Sequence, residues 1–195
     1  MKSDDVQSGA RGEGEQALDQ EILAELYREL RAAARSHIHR TDNHDLMGAT
    51  TLVHEVVVKL NPQRLRGMDK VHVWRLAGRA MQQVVIDRAR ERDALKRGGA
   101  VRRVTMDDVD VPDMKPGMDA AGLEMITRAL EEVAAGGGEG NDAAEVFRLR
   151  FFAGMTHEQA ARALGMSESS VRRLLLFARA SIRRVIETRG WTDGA

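Results

Sequence analysis

An all-α fold, with two small helical units joined by an acidic connection, is the fold class this sequence predicts. Three observations predict it. Apolar residues recur at helical spacing through the long segments, no stretch reads convincingly as a strand, and glycine, proline and acidic residues interrupt the pattern near the middle. The 195 residues include only three prolines and few aromatics beside many apolar and charged residues. That mixture suits a helical chain better than a disordered or fibrous one.

Residues 1–16 are polar and glycine-containing, leave nothing to bury, and read as a disordered tail. From Leu18, the residues Ile22, Leu26, Leu30 and Ala33 recur turn by turn, and Tyr27 and Ala34 widen the stripe, which predicts a first helix. A loop around Thr41–Asn43 follows. A second helix is expected from Thr50 or Thr51, carrying Leu52, Val53, Val56, Val57 and Leu60 and ending before Pro62. A third, long helix is expected from about Val71 to Leu95 on Val73, Trp74, Ala77, Met81, Val84, Val85, Ile86 and Ala89. The run Lys96-Arg97-Gly98-Gly99 ends it.

Residues 96–122 contain Pro112, Pro116, glycines and acids without periodicity, and read as a linker. A helix over Leu123–Ala135 restarts order on Leu123, Ile126, Leu130 and Val133, and the run Gly136–Gly140 is expected to break it. Three helical stretches follow, at Ala143–Ala153, Thr156–Leu164 and Ser167 to about Glu187. The domain reading is therefore a helical unit over 17–95, the linker 96–122, a second unit over 123–188 and a short tail over 189–195.

Several function classes lose support at this level. No apolar run approaches membrane-spanning length, and the polar N-terminus lacks the apolar core of a signal peptide, so a cytoplasmic address and no membrane partner are expected. The lack of cysteine removes disulfides, thiolate metal sites and a cysteine nucleophile. His54-Glu55 begins a zinc-protease motif, but its second histidine would fall at Val58. His37 and His39 point to different helix faces, and with His44 would need loop rearrangement to share a metal. The glycine run at 136–140 follows no strand and lacks the Lys-Ser/Thr ending of a phosphate loop. No catalytic residue, cofactor, metal or small-molecule substrate is expected.

Net charge is zero, yet its distribution is uneven. Arginines and lysines crowd residues 88–103 and again 172–184, while acids, including Glu124, Glu131, Glu132, Glu139 and Asp142, fill the span between. Two basic surfaces around an acidic connection vanish in a neutral sum.

The most specific local motif spans Thr156 to Val171. Thr156 with Gln159 forms a capping-box signature. Ala161 is small where two helices must approach, Gly165 can turn left-handed, Met166 plugs the corner and Ser167 can cap the next helix. Ala160, Leu164, Val171 and Leu174 then supply facing apolar surfaces. This is helix-turn-helix spacing, and it leaves Ser167, Ser169, Ser170, Arg172, Arg173 and, further along, Arg179 as candidates for DNA. Arginine pairs with guanine or phosphate, and serine hydroxyls suit backbone or base edges. A helical hairpin with a solvated arginine face would share these features.

The N-terminal half narrows the choice, and here the chain resembles the extracytoplasmic-function (ECF) sigma factors from Leu18 to Glu187. Thr51-Leu-Val-His-Glu-Val-Val-Val-Lys-Leu60 is similar to the region-two helix that docks on the polymerase clamp. Val73 to Arg90 resembles the following helix, which holds the minus-ten element. Lys96-Arg-Gly-Gly99 and Val104-Thr-Met-Asp-Asp-Val109 match one subgroup, and Glu145 to Thr156 resembles the opening of region four, whose helix-turn-helix grips the minus-thirty-five element. Thr51 departs from the pattern, since an acid is common there, and His54 stands where glutamine is frequent.

The resemblance implies core RNA polymerase and promoter DNA as partners, and leaves open an anti-sigma partner. It implies polymerase contact by Leu52, Val53, Glu55 and Val56, although the three apolar residues serve equally well as core. It also implies minus-ten contact by residues among Arg75, Arg79, Gln83, Arg88, Arg90 and Arg92, about half of which are expected to be solvated charge. Trp74 reads as core. At about 3.3 Å per residue the linker 96–122 could span roughly 90 Å, against about 34 Å for one turn of duplex, so it could bridge both promoter elements. The alternative is a self-sufficient helix-turn-helix regulator whose N-terminal half dimerises or senses a ligand. It would bind duplex tightly alone, whereas a sigma factor would bind weakly without polymerase.

Overall fold

The computed structural model describes residues 21–32, 49–95 and 118–190. The expected tail 1–16, the loop at Thr41–Asn43, the ends of the first helix at Leu18 and at Ala33–Ala34, linker residues 96–117 and residues 191–195 lie outside that description. The fold is all-α, with no strand among the described residues.

Helix α1 covers residues 21–32. Helix α2 (Ala49–Leu60) leads through a single 3₁₀ turn (Pro62–Leu65) into the long α3 (Lys70–Leu95). Proline at the start of that turn has no amide hydrogen to waste and cannot continue α2. Helix α4 (Ala120–Ala135), α5 (Gly138–Phe147), α6 (His157–Leu164) and α7 (Glu168–Thr188) complete the fold. One contiguous apolar core runs from Leu26 and Leu30 of α1, through Val53 and Val56 of α2 and Trp74 and Met81 of α3, to Ile182 and Ile186 of α7. The α4, α5 and α7 helices pack on one another, and α3 lies against them as well as against α2. No helix among the described residues is long and apolar enough to cross a membrane.

Three local features depart from the sequence reading, each for a physical reason. The α4 helix starts at Ala120, three residues early, because the Asp119 carboxylate accepts from the Gly122 amide at 2.8 Å and caps it. The break expected over Gly136–Gly140 occupies only Gly136 and Gly137, and α5 begins at Gly138. Gly140 is a site of close approach, where a Cβ would lie 2.4 Å from the Val133 carbonyl oxygen at the end of α4. Finally, Ala143–Ala153 is not one regular helix. After Phe147 the chain widens into a π turn (Arg148–Phe152), closed by the Ala153 amide donating to the Arg148 carbonyl at 3.1 Å. The widened turn directs Phe147, Phe151 and Phe152 inward, with Phe147 and Phe151 stacked at 4.9 Å and Phe152 edge-on to Phe151 at 5.0 Å.

Candidate nucleic-acid interface

The α6–α7 pair is assembled by its own sequence. Thr156 Oγ1 accepts from the Gln159 amide at 3.1 Å while Gln159 Oε1 accepts from the Thr156 amide at 2.8 Å, a reciprocal cap that starts α6. Gly165 ends α6 at φ 65°, ψ 34°, a left-handed conformation that costs a side-chain-bearing residue energy. The Ser167 hydroxyl then accepts from the Ser170 amide at 3.1 Å and starts α7. Ala160, Leu164, Val171 and Leu174 are buried between the two helices and the core, as their spacing predicts.

The opposite face of α7 is open, polar over its first turns and apolar one turn further on, where Leu176 and Phe177 are exposed. Ser167 and Ser169 are exposed and Ser170 half-buried, and the Ser167 hydroxyl lies 2.8 Å and 2.9 Å from those of Ser169 and Ser170. The side chains of Arg172 and Arg173 are each 63% exposed. Arg172 pairs with Glu168 at 3.1 Å one turn back, and Arg173 with Glu139 of α5. Surface pairs of this kind hold their arginines loosely. Arg179 is half-buried on the same helix. His157, at the start of α6, sits in this basic environment. Burial first, then the Arg150 and Arg172 guanidinium groups, hold its imidazole below the ordinary histidine value, with Glu168 acting in the opposite sense. A face with serine hydroxyls at a capped helix start and accessible arginines beyond can take phosphate oxygens and base edges.

The α3 candidates are placed less openly. Arg75 pairs with Asp142 of α5 at 3.0 Å, Arg79 with Glu145 at 2.9 Å, and Arg90 with Glu124 of α4 at 2.8 Å. Arg92 donates to the Met118 carbonyl oxygen. These four all meet the C-terminal half of the chain. Arg88 instead reaches back to Glu55 of α2 and donates to Glu91 at 2.9 Å. Gln83 is exposed and donates to Asp87 at 3.3 Å. The Lys59 ammonium, hydrogen-bonded to Asp87 at 2.7 Å, is the main cause holding that carboxyl below its ordinary value, and it ties α2 to α3.

On α2, Leu52 and Glu55 are partly exposed, whereas Val53 and Val56 are fully buried against the core. Glu55 pairs with Arg88 of α3. Trp74 is buried.

Sequence reasoning missed a polar cluster between the halves. Arg148 is 0% exposed, and donates to Gln82 of α3 at 2.9 Å, to Glu145 at 3.0 Å and to Glu131 at 2.7 Å. Gln82 in turn donates to Thr127 of α4 at 2.8 Å. The available signal was an arginine inside the apolar run Val146-Phe147-Arg148-Leu149, three residues after Glu145.

No curated protein and no solved structure matches this chain. The sequence model of the ECF sigma factor family matches residues 8–188, which include every described helix and both candidate faces. Sigma factors are the DNA-binding initiation factors of promoter-specific transcription, and this chain belongs to the ECF sigma factor family.

Proposed function

We propose that this protein binds core RNA polymerase through α2, holds the minus-ten element along α3, and grips the minus-thirty-five element with the α6–α7 helix-turn-helix. The observation that carries the reading is the two-sidedness of α7 within a family match spanning residues 8–188. Val171, Leu174 and Ala178 are buried on one side, and Ser169, Arg172 and Arg173 are exposed on the other, at the N-terminal half of a capped helix. That half of a recognition helix enters the major groove.

On α2, Leu52 and Glu55 are the surface part of the polymerase contact, and Val53 and Val56 support the helix from beneath. On α3, the arginines and Gln83 would neutralise phosphate and hold an unpaired strand, offsetting the cost of melting. The polymerase performs the chemistry, so this chain supplies position and charge.

Reconstituted transcription with sigma-free core polymerase and a promoter library tests the reading. Defined start sites should appear only when the protein is added and disappear with Arg172→Ala/Arg173→Ala. Absence of transcripts together with tight binding of the protein alone to duplex would refute it.

A further inference from the structure

Three acids of the C-terminal half lie opposite α3 arginines. Arg75, Arg79, Gln82 and Arg90 follow one another at three- or four-residue steps or their multiples, so they share one face of α3. Glu124, Asp142 and Glu145 take the three arginines, and Arg148 and Thr127 take Gln82. Gly78 completes the contact, since a Cβ there would lie 3.3 Å from both Arg148 Cβ and Leu149 Cδ2. Beside the apolar contacts that join the halves, this strip of the junction is polar and incompletely satisfied. Glu145 is 1% exposed, yet its Oε2 has no hydrogen-bond partner among the described residues. Arg75, Arg79 and Arg90 keep one third or more of their side chains in water, where salt and competing anions reach them.

We propose that the free protein is self-masked: the carboxylates of Glu124, Asp142 and Glu145 occupy Arg90, Arg75 and Arg79 in place of promoter phosphates, and the two halves part before α3 takes DNA. The proposal rests on the reading that α3 is a DNA-binding helix. A carboxylate and a phosphodiester group each present two anionic oxygens to a guanidinium, so one replaces the other without rebuilding α3. Opening exposes Gly78, Gln82 and the Leu149 side chain packed on Gly78 to water, and leaves the α2 side of α3 covered.

The test uses the full chain without polymerase, a fluorescent mixed-sequence single-stranded DNA twelve nucleotides long, and X-ray scattering. Glu124→Gln/Asp142→Asn releases Arg90 and Arg75 at the surface, and should tighten oligonucleotide binding by about tenfold. Glu21→Gln/Glu187→Gln changes net charge equally at exposed positions that hold no α3 arginine, and should tighten it far less. Gly78→Gln, which adds no charge, should wedge the halves apart, raise the radius of gyration and tighten binding as well. If Gly78→Gln loses its helical circular dichroism, the acid pair decides.

Equal affinities for the acid pair, its charge control and the unaltered protein would overturn the proposal. So would a Gly78→Gln chain that expands without gaining affinity. Neither readout involves polymerase, which separates this result from the transcription test. A gain in affinity without transcripts keeps the mask and removes the sigma function, and transcripts without any gain do the reverse.

Discussion

Replacing Arg148 with methionine keeps the bulk of the side chain and removes its charge and all three donated hydrogen bonds. What remains is Glu145, 1% exposed, paired with Arg79, which is itself 57% exposed. Removing one member of a buried ion pair leaves an uncompensated charge in low dielectric, which costs about 3–5 kcal/mol. Against a net stability of roughly 5–15 kcal/mol that is a large fraction. At about 2–4 °C per kcal/mol for a chain of this size, the melting temperature should fall by roughly 6–20 °C. Glu145→Leu should also destabilise, though less, because the buried Arg148 then keeps only the 61% exposed Glu131 as a carboxylate partner among the described residues. The double variant Arg148→Met/Glu145→Leu leaves no stranded charge, and should recover most of the loss, ending within about 1 kcal/mol of the unaltered protein or above it. Urea titrations followed by circular dichroism would read all four corners of the cycle. A loss below about 1 kcal/mol for Arg148→Met, or a double variant equal to the sum of the singles, would refute the assignment of a coupled buried pair.

Three further outcomes follow from local geometry. Gly140→Ala drives a methyl to 2.4 Å from the Val133 carbonyl oxygen, and should cost about 1–3 kcal/mol by forcing α4 and α5 apart, a loss visible in thermal melts and larger than that of Ala135→Gly. Gly165→Ala meets only ordinary contact with Val71 but must adopt the left-handed conformation. It should cost about 1–2 kcal/mol, with Gly165→Asn costing less in the same melts, and equal losses for the two would count against backbone strain as the cause. For His157, the folded value is depressed, so the unfolded chain takes up a proton first as pH falls. Stability from this group is therefore complete above about 6.5 and declines as pH drops from there toward the folded value, and His157→Gln should flatten that limb in pH-dependent denaturation.

Periodicity carried most of the fold because each helix has a continuous apolar stripe bounded by residues with definite stopping chemistry. The Thr156–Gln159 box, Gly165 and Ser167 act through bonds a few residues long, so the sequence contains the whole cause of the α6–α7 turn. Gly138–Gly140 misled because local propensity and tertiary need point opposite ways there. Glycine weakens a helix, but only glycine admits the Val133 carbonyl that α4 presses against α5. The arginine partners were illegible for a different reason. Nothing near Arg75 in sequence announces Asp142, 67 positions away, or sets Glu145 rather than solvent before Arg79. Which charges are solvated and which are engaged is a property of the packed arrangement, and a charge count sees neither. The same holds for Val53 and Val56, whose apolar character fitted a docking surface and a core equally and whose burial depends on where α3 lies.

Neutral net charge gives the salt dependence of DNA binding an unusual meaning in this protein. An arginine that meets phosphate from free solution releases a counterion, and for single strands each such contact contributes about −0.7 to the slope of log affinity against log salt. An arginine already held by a carboxylate gives no such return, because the vacated acid gathers a cation as the phosphate surrenders one. Arg75, Arg79 and Arg90 are all so held in the closed arrangement. A shallow slope in the free protein that steepens in Glu124→Gln/Asp142→Asn therefore measures internal exchange of carboxylate for phosphate, separately from any change in affinity. A slope identical in both proteins would mean that the acids and the DNA address different arginines.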